Sequence, residues 1–404
     1  MMSCRSCHSV RLEMILDLGR QAWGNDFIPI KDRRISATYP LQLFYCHSCH
    51  MTQLGHTVDK ETMFVEHAYL SGTTNSLKAH FVDVAENVLR RRPIGNQEYV
   101  LDIGGNDGTF LEHFKKNGLK VLNVDSGRLQ AAKSNEKGVP CLNQFFNEQA
   151  ADQILKTYGP AAVIHGSGIF FHLEELHGVF KGIKKILNQD NGLLVAEFIY
   201  LPDMIRNLAY DQIYHEHLLY YMIHSFQALL KQFGLEIYDA HLDPIHGGSC
   251  VAFITHTGLT KRTERLLELM SQEEQEGFLQ IDVYKEFAGK VDRSRERLVE
   301  LIRSLHAAGK KIYALGAPVK GSTMINYCHL TERDLECAVE INPYKCNTYI
   351  PGTKIPVYHQ NDVQDPDVYL LLAWNFKDEI LPKMAAYRNK GGKILVPIPE
   401  PELI

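Results

Sequence analysis

The ten residues YVLDIGGNDG, Tyr99 to Gly108, constrain the fold of this chain more than any other stretch. An almost wholly apolar run enters a turn built on Gly104, Gly105 and Gly108, and TFLEHFKKNG follows at helical spacing. Strands that read as near-continuous apolar runs are buried on both faces, the habit of parallel sheets. Glycines at the end of such a strand let a ligand approach the backbone closely. The pattern then repeats. LKVLNVD is a second strand closing on Asp125, LQAAKSNEKG a helix, and AAVIHGSG, NGLLVAEFIY and CVAFITH are further strands. This alternation predicts an α/β fold with a doubly wound parallel sheet. A second unit of the same kind starts at KKIYALGAPVKGSTMINY and continues through LECAVEINPY, KIPVY, DVYLLLAWN and GGKILVPIP. Between the two, residues 260–308 are charged and contain a long proline-free stretch, which predicts a connecting pair of helices.

The first 60 residues read differently. They are rich in Cys and His and show little periodicity, so this segment needs a staple to hold it. Cys4–x–x–Cys7 and Cys46–x–x–Cys49 supply one. Each pair puts two thiolates on one side of a tight knuckle, and two knuckles complete a tetrahedral Zn²⁺ shell. A closed four-ligand site is structural, with no open position for catalysis.

What the glycine turn would bind follows from charge. Asp102 stands just before the turn, and Asp125 ends the next strand, where an acidic side chain accepts ribose hydroxyls. A dinucleotide fingerprint spaces its glycines GxGxxG to seat a pyrophosphate, whereas here they run GGxxG. A carboxylate at Asp102 would repel a pyrophosphate and favour a cationic methionine moiety. Asp102, Gly104, Gly105, Asn106, Asp107 and Asp125 are therefore the expected contacts of S-adenosylmethionine, against the alternative of a plain tight turn.

The segment DQIYHEHLLYYMIH, Asp211 to His224, crowds titratable groups into an apolar setting. If it is helical, Tyr214, His217 and Tyr221 share one face. His217 could then act as a general base, its ordinary pKa lying near working pH, with Glu216 or Tyr214 orienting it. The other reading is a hydrogen-bonded polar seam in an aromatic core. His246, Gly247, Gly248 and Ser249 form a glycine turn before a strand, either a contact for sugar or phosphate or simply a hairpin. Tyr69 precedes the first helix of the sheet domain. His172 follows the HGSG loop where a helix should start, and its plain reading is a cap for that helix.

The net charge of −5 excludes a general nucleic-acid binder, which needs a basic face. There is no run of 18 apolar residues and no apolar signal core at the start, so a cytoplasmic protein with no membrane contact is expected.

These motifs occur together elsewhere. In the order CxxC, CxxC, LDIGGNDG, EFIYL, YHEHL, HGGS, GAPVKGSTMINY, INPYKCNTYIPGTKIPV and LLAWNFKDEI, the chain resembles sugar C-methyltransferases that act on nucleotide-activated 4-keto-deoxysugars, including those of tetronitrose and mycarose type. The resemblance implies a zinc-binding lobe over 1–68 and a Rossmann-like S-adenosylmethionine-dependent methyltransferase domain over 69–258. It implies a helical connector and a C-terminal Rossmann-like nucleotide-sugar-binding domain over 259–404. It makes His217 the base and places Tyr214 and Glu216 at the reacting carbon, with Tyr69 and His172 at the other active-site positions. Lys320, Asn342 and Lys345 fall on the side of the nucleotide diphosphate, dTDP or GDP. Ser167 and EFIYL stand where the family commonly has asparagine and EVPYL. A binding protein without turnover, and a methyltransferase acting on nitrogen or oxygen, are the competing functions.

Overall fold

The computed structural model describes residues 2–65, 69–73 and 75–404, apart from the side chain of His246. The apolar run at Tyr99 forms the centre of the molecule. Strands β1 (Leu12–Ala22), β2 (Thr38–Cys46) and β3 (Thr52–Leu54) make an N-terminal antiparallel ladder. Strands β4 (Tyr99–Ile103), β5 (Lys120–Asp125), β6 (Cys141–Asn143), β7 (Val163–Ser167) and β8 (Leu193–Ile199) are all parallel. The two-residue strand β9 (Leu219–Tyr220) leaves this unit and pairs with β3, Thr52 opposite Tyr220. Strands β10 (Leu235–Asp243) and β11 (Ser249–His256) form a hairpin that adds antiparallel to β8. The central sheet thus runs β10-β11-β8-β7-β4-β5-β6.

The C-terminal unit contains β12 (Ile312–Leu315), β13 (Ala338–Glu340), β14 (Thr348–Tyr349), β15 (Pro356–His359), β16 (Val368–Leu371), β17 (Lys393–Val396) and β18 (Glu402–Leu403). Its order is β14-β15-β13-β12-β16-β17-β18, with a parallel core and antiparallel edges. In both sheets the chain reverses its direction of growth beside the first strand, at β4/β7 and at β12/β16. Such switch points open a crevice at the carboxyl ends of the strands. The expected helical connector is present as Glu264–Gln275 and Ile281–Ala307. Thr263 caps the former by accepting from the Leu266 amide. Among the described residues no helix is long and apolar enough to cross a membrane.

The N-terminal lobe, which shows little periodicity in the sequence, nonetheless forms regular strands. In β2, Leu41, Leu43 and Tyr45 alternate inward, burying the period-two face that Phe44 disguises in the sequence. The expected single helix over Asp211–His224 is not formed. It passes from a 3₁₀ turn (Tyr210–Gln212) through irregular backbone into β9, and only Ile223–Lys231 is helical. Tertiary pairing decides this. The Leu54 amide donates to Leu218, and Tyr200 bridges Tyr221, so the segment is drawn out between the N-terminal ladder and the end of β8.

Candidate active site

The four cysteines converge. Their sulfurs all lie within 4.8 Å of one another, with Cys4–Cys49 and Cys7–Cys46 at 3.6 Å. Tetrahedral ligation at about 2.3 Å sets sulfurs roughly 3.8 Å apart, so the donor set fits Zn²⁺.

The glycine turn closes over the carboxyl ends of β4 and β5. Gly104 adopts φ +67°, and a Cβ there would press on Ile169 at 3.1 Å. A Cβ on Gly105 would sit 2.4 Å from Asn123 Oδ1 and 2.5 Å from Asp102 Oδ2. Neither position has room for a side chain. Asp102 Oδ1 accepts from His165 Nδ1 at 2.8 Å. Asp125 Oδ2 accepts from the Asn106 amide at 2.9 Å and Oδ1 from Gly127 at 2.8 Å. Burial raises Asp125 to about 6 despite those two amides. Asn106 and Asp107 accept from the amides of Ser71 and Gly72, lashing the loop at 69–73 to the turn. Half-exposed Tyr69 is held there too, its carbonyl accepting from Asn106 and Gln130.

Beside the turn, the loop after β7 carries two groups in opposite directions. Ile169 lies over Gly104, while the His172 ring centroid stands 5.2 Å from that of His217. His172 sits ahead of helix Leu176–Ile186 and does not cap it; Glu175 holds that position. Tyr214 stacks near His217 with centroids 3.8 Å apart, and Phe171 packs edge-on at 4.7 Å. Tyr221 is elsewhere: its hydroxyl donates to the Phe170 carbonyl. His217 Nδ1 donates to the Gln212 carbonyl at 2.9 Å, which leaves Nε2 as the basic nitrogen. That carbonyl, not Glu216, orients the ring. Glu216 turns the other way, accepting from Trp23 Nε1 and Asn25 Nδ2, both at 2.7 Å. Burial raises its pKa. Neither Gln212 nor the Trp23–Asn25 pair is signalled by the sequence.

The C-terminal unit meets this segment from the far side. Trp374 Nε1 donates to buried Asp211 at 2.7 Å, and Thr323 Oγ1 to the Ile213 carbonyl at 3.0 Å. Lys320 bonds Asn375 and lies 5.0 Å from the Trp374 ring centroid. Lys345 donates to the Ala317 carbonyl at 2.8 Å. Burial pulls both ammonium groups down, opposed for Lys320 by the charge of Asp211 and for Lys345 by Glu340 and Glu216. Asn342 is less central, its Oδ1 closing a turn on the Tyr344 amide. Gly247 approaches both Gln212 and Asn375, and Gly248, φ +122°, leaves no room for a Cβ against Asp203. The HGGS stretch is thus a hairpin turn, and because β11 runs antiparallel to β8 it lies at the same carboxyl edge. The His246 side chain is outside the described residues. The carboxyl edges of the two sheets face each other across residues 210–217.

Comparison with known proteins accords with this layout. Residues 4–64 match a family model described as a proposed zinc binding domain, 77–240 a methyltransferase domain, and 244–399 a C-methyltransferase C-terminal domain. The C-methyltransferase NovU of Streptomyces niveus is 29% identical over 99% of this chain and 96% of its own. Over nearly its whole length the chain is thus similar to a C-methyltransferase. This methyltransferase uses S-adenosylmethionine, and its four-cysteine lobe is a zinc site. Similar solved structures include a magnesium protoporphyrin IX methyltransferase from Synechocystis with bound S-adenosylmethionine (11% identity; 45% of this chain, 79% of that one; TM-score 0.34). Another is an S-adenosylmethionine-dependent methyltransferase from Anabaena variabilis (14%; 45% and 86%; 0.36).

Proposed function

We propose that this methyltransferase adds a methyl group to C-3 of a nucleotide diphosphate 4-keto-deoxysugar, with His217 as the base. The carrying observation is the close-packed Tyr214–His217–His172 group, held between a donor turn on one sheet and two partly buried lysines on the other. A carbon beside a ketone loses a proton because the charge spreads onto oxygen. Nε2 of His217 takes the C-3 proton, and Tyr69, His172 or Tyr214 holds the enolate oxygen. The carbon then displaces the sulfonium methyl in line, releasing S-adenosylhomocysteine. Lys320 and Lys345 are partly desolvated cations, and a diphosphate adds an anionic partner that favours their charged forms. Asn342 and the turn from His246 to Ser249 complete the nucleotide-sugar side. Asp102, Gly104, Gly105, Asn106, Asp107, Asp125 and Ser167 hold the donor. In this reading 1–68 is the zinc lobe, 69–258 the methyl-transfer domain and 259–404 the connector and nucleotide-sugar domain, working in the cytoplasm.

The test is a panel of dTDP- and GDP-linked 4-keto sugars, read by mass spectrometry for one added methyl and by deuterium exchange at C-3 without donor. Exchange in the wild type, its loss in His217→Asn, and a turnover drop of about 10²–10⁴ with both ligands still bound are expected. Methyl gain without C-3 exchange would mean attack by nitrogen or oxygen. Binding without methyl gain on any sugar would mean a different acceptor.

A further inference from the structure

Helix Asn75–Arg91 buries Leu77, Phe81, Val84, Ala85 and Val88, and His80 occupies the same face. A histidine in an apolar helical stripe, only 6% exposed, needs partners. It has two. Nε2 lies 3.0 Å from Glu197 Oε2, and Nδ1 lies 3.3 Å from Asp243 Oδ2. An imidazole between two carboxylates satisfies both by carrying a proton on each nitrogen. Glu197 is buried, and its Oε2 also accepts from Ser167 Oγ at 2.9 Å. The hydroxyl of Tyr69 is within electrostatic reach of the same carboxylate. The chain Asp243–His80–Glu197–Ser167 therefore runs to the donor edge of the sheet. Its outer end opens on a groove of about 190 Å³ that also takes in Asp83, Glu86, Asn87, Arg90 and His241. Solvent protons reach His80 there.

Glu197 stands two strands from β4, roughly 10 Å by strand spacing. With the donor seated at the glycine turn, as the proposed function has it, this charge acts on a sulfur that is cationic before methyl transfer and neutral after. We propose that His80 is a positioning residue that sets the charge beneath the donor cleft. Protonated, it neutralises Glu197; neutral, it leaves the carboxylate to favour the sulfonium donor over the spent by-product. Burial pulls His80 down, but the hydrogen bond and charge of Glu197, then those of Asp243, outweigh it and hold the imidazole above its ordinary value. The other groups facing it are His241 from β10 and Asp83, Glu86 and Arg90 of its own helix.

The test measures dissociation constants of S-adenosylmethionine and S-adenosylhomocysteine from about pH 6 to 9. Asp125 and the ligands' amino groups also titrate in this range, so the His80 contribution is the difference in slope of the affinity ratio between the wild type and His80→Gln. In the wild type the preference for S-adenosylmethionine rises with pH by about three- to tenfold more than in the variant. In His80→Gln, which keeps a donor for Glu197 but no charge, the preference is high and this part of the slope is gone. In Asp243→Asn, a substitution near the surface, the midpoint moves to lower pH because the imidazolium has lost one anion. A histidine with only a structural role would weaken both ligands alike. A flat wild-type ratio, a His80→Gln variant that keeps the slope, or an unmoved midpoint in Asp243→Asn overturns the assignment.

Discussion

At the residue scale, the cluster that stood out in the sequence is real, but its wiring is not what residue types suggest. His217 and Tyr214 meet as expected. The acceptor that fixes the ring is a main-chain carbonyl, Gln212, and every residue has one, so no letter marks it. Glu216 has the right chemistry to orient a histidine and the wrong direction, because Trp23 and Asn25 claim it from almost 200 positions away in the chain. Asp125 stands where the strand–helix alternation puts it, at the end of a strand beside the glycine turn. Its burial adds a consequence. With its pKa near 6, Asp125 is ionised at pH 8 and increasingly protonated below 6. A protonated carboxyl offers the ribose hydroxyls a poorer acceptor. S-adenosylmethionine affinity should accordingly fall about tenfold per pH unit well below 6, and Asp125→Asn should be weak and pH-independent there. Titration calorimetry across pH checks both, and unchanged wild-type affinity at pH 5 would remove Asp125 from the donor site.

At the element scale, the strand–turn–helix unit was readable because its signal is local: an apolar run, glycines, then helical spacing. The same device occurs twice. Asp125 at the end of β5 accepts from the Asn106 amide in the first glycine turn, and Glu340 at the end of β13 accepts from Ala317 after Gly316 in the second. The turn has little room to give. Gly105→Ala drives a methyl into Asn123 and Asp102, both buried, so relaxation must move the sheet edge. The expected cost is about 1–3 kcal/mol of stability, with a loss of donor affinity of at least tenfold. Gly118→Ala, whose Cβ would meet nothing within 4 Å, strains only its own φ of +76° and should spare donor binding. Thermal unfolding and calorimetry on the two variants separate these outcomes. The stretch 211–224 was misjudged for the converse reason: its aromatic and histidine spacing fits a helix, but its structure is set by partners in β3, β8 and the C-terminal unit.

At the scale of the whole molecule, the zinc lobe touches everything. It pairs β3 with β9, presents Trp23 and Asn25 to Glu216, and adds backbone bonds to the C-terminal sheet through Ile28–Tyr349 and Ile30–Asn347. Structural zinc contributes its binding free energy to folding. Stripping it should loosen the lobe, leave the buried Glu216 carboxylate without donors at a cost of about 1–3 kcal/mol, and abolish turnover. Donor binding should survive, since the glycine turn rests on β4, β5 and β7. Chelation followed by elemental analysis, donor calorimetry and methyl transfer tests this; a metal-free protein with full turnover would contradict it.

Those same strap-like pairings constrain how molecules come and go. A segment near residue 30 is sewn to the edge of one sheet while β3 is sewn to a strand leaving the other. Swinging the two α/β halves apart like a clamshell would rip both seams at once. A cross-link joining the two halves at the seam should therefore leave catalysis running.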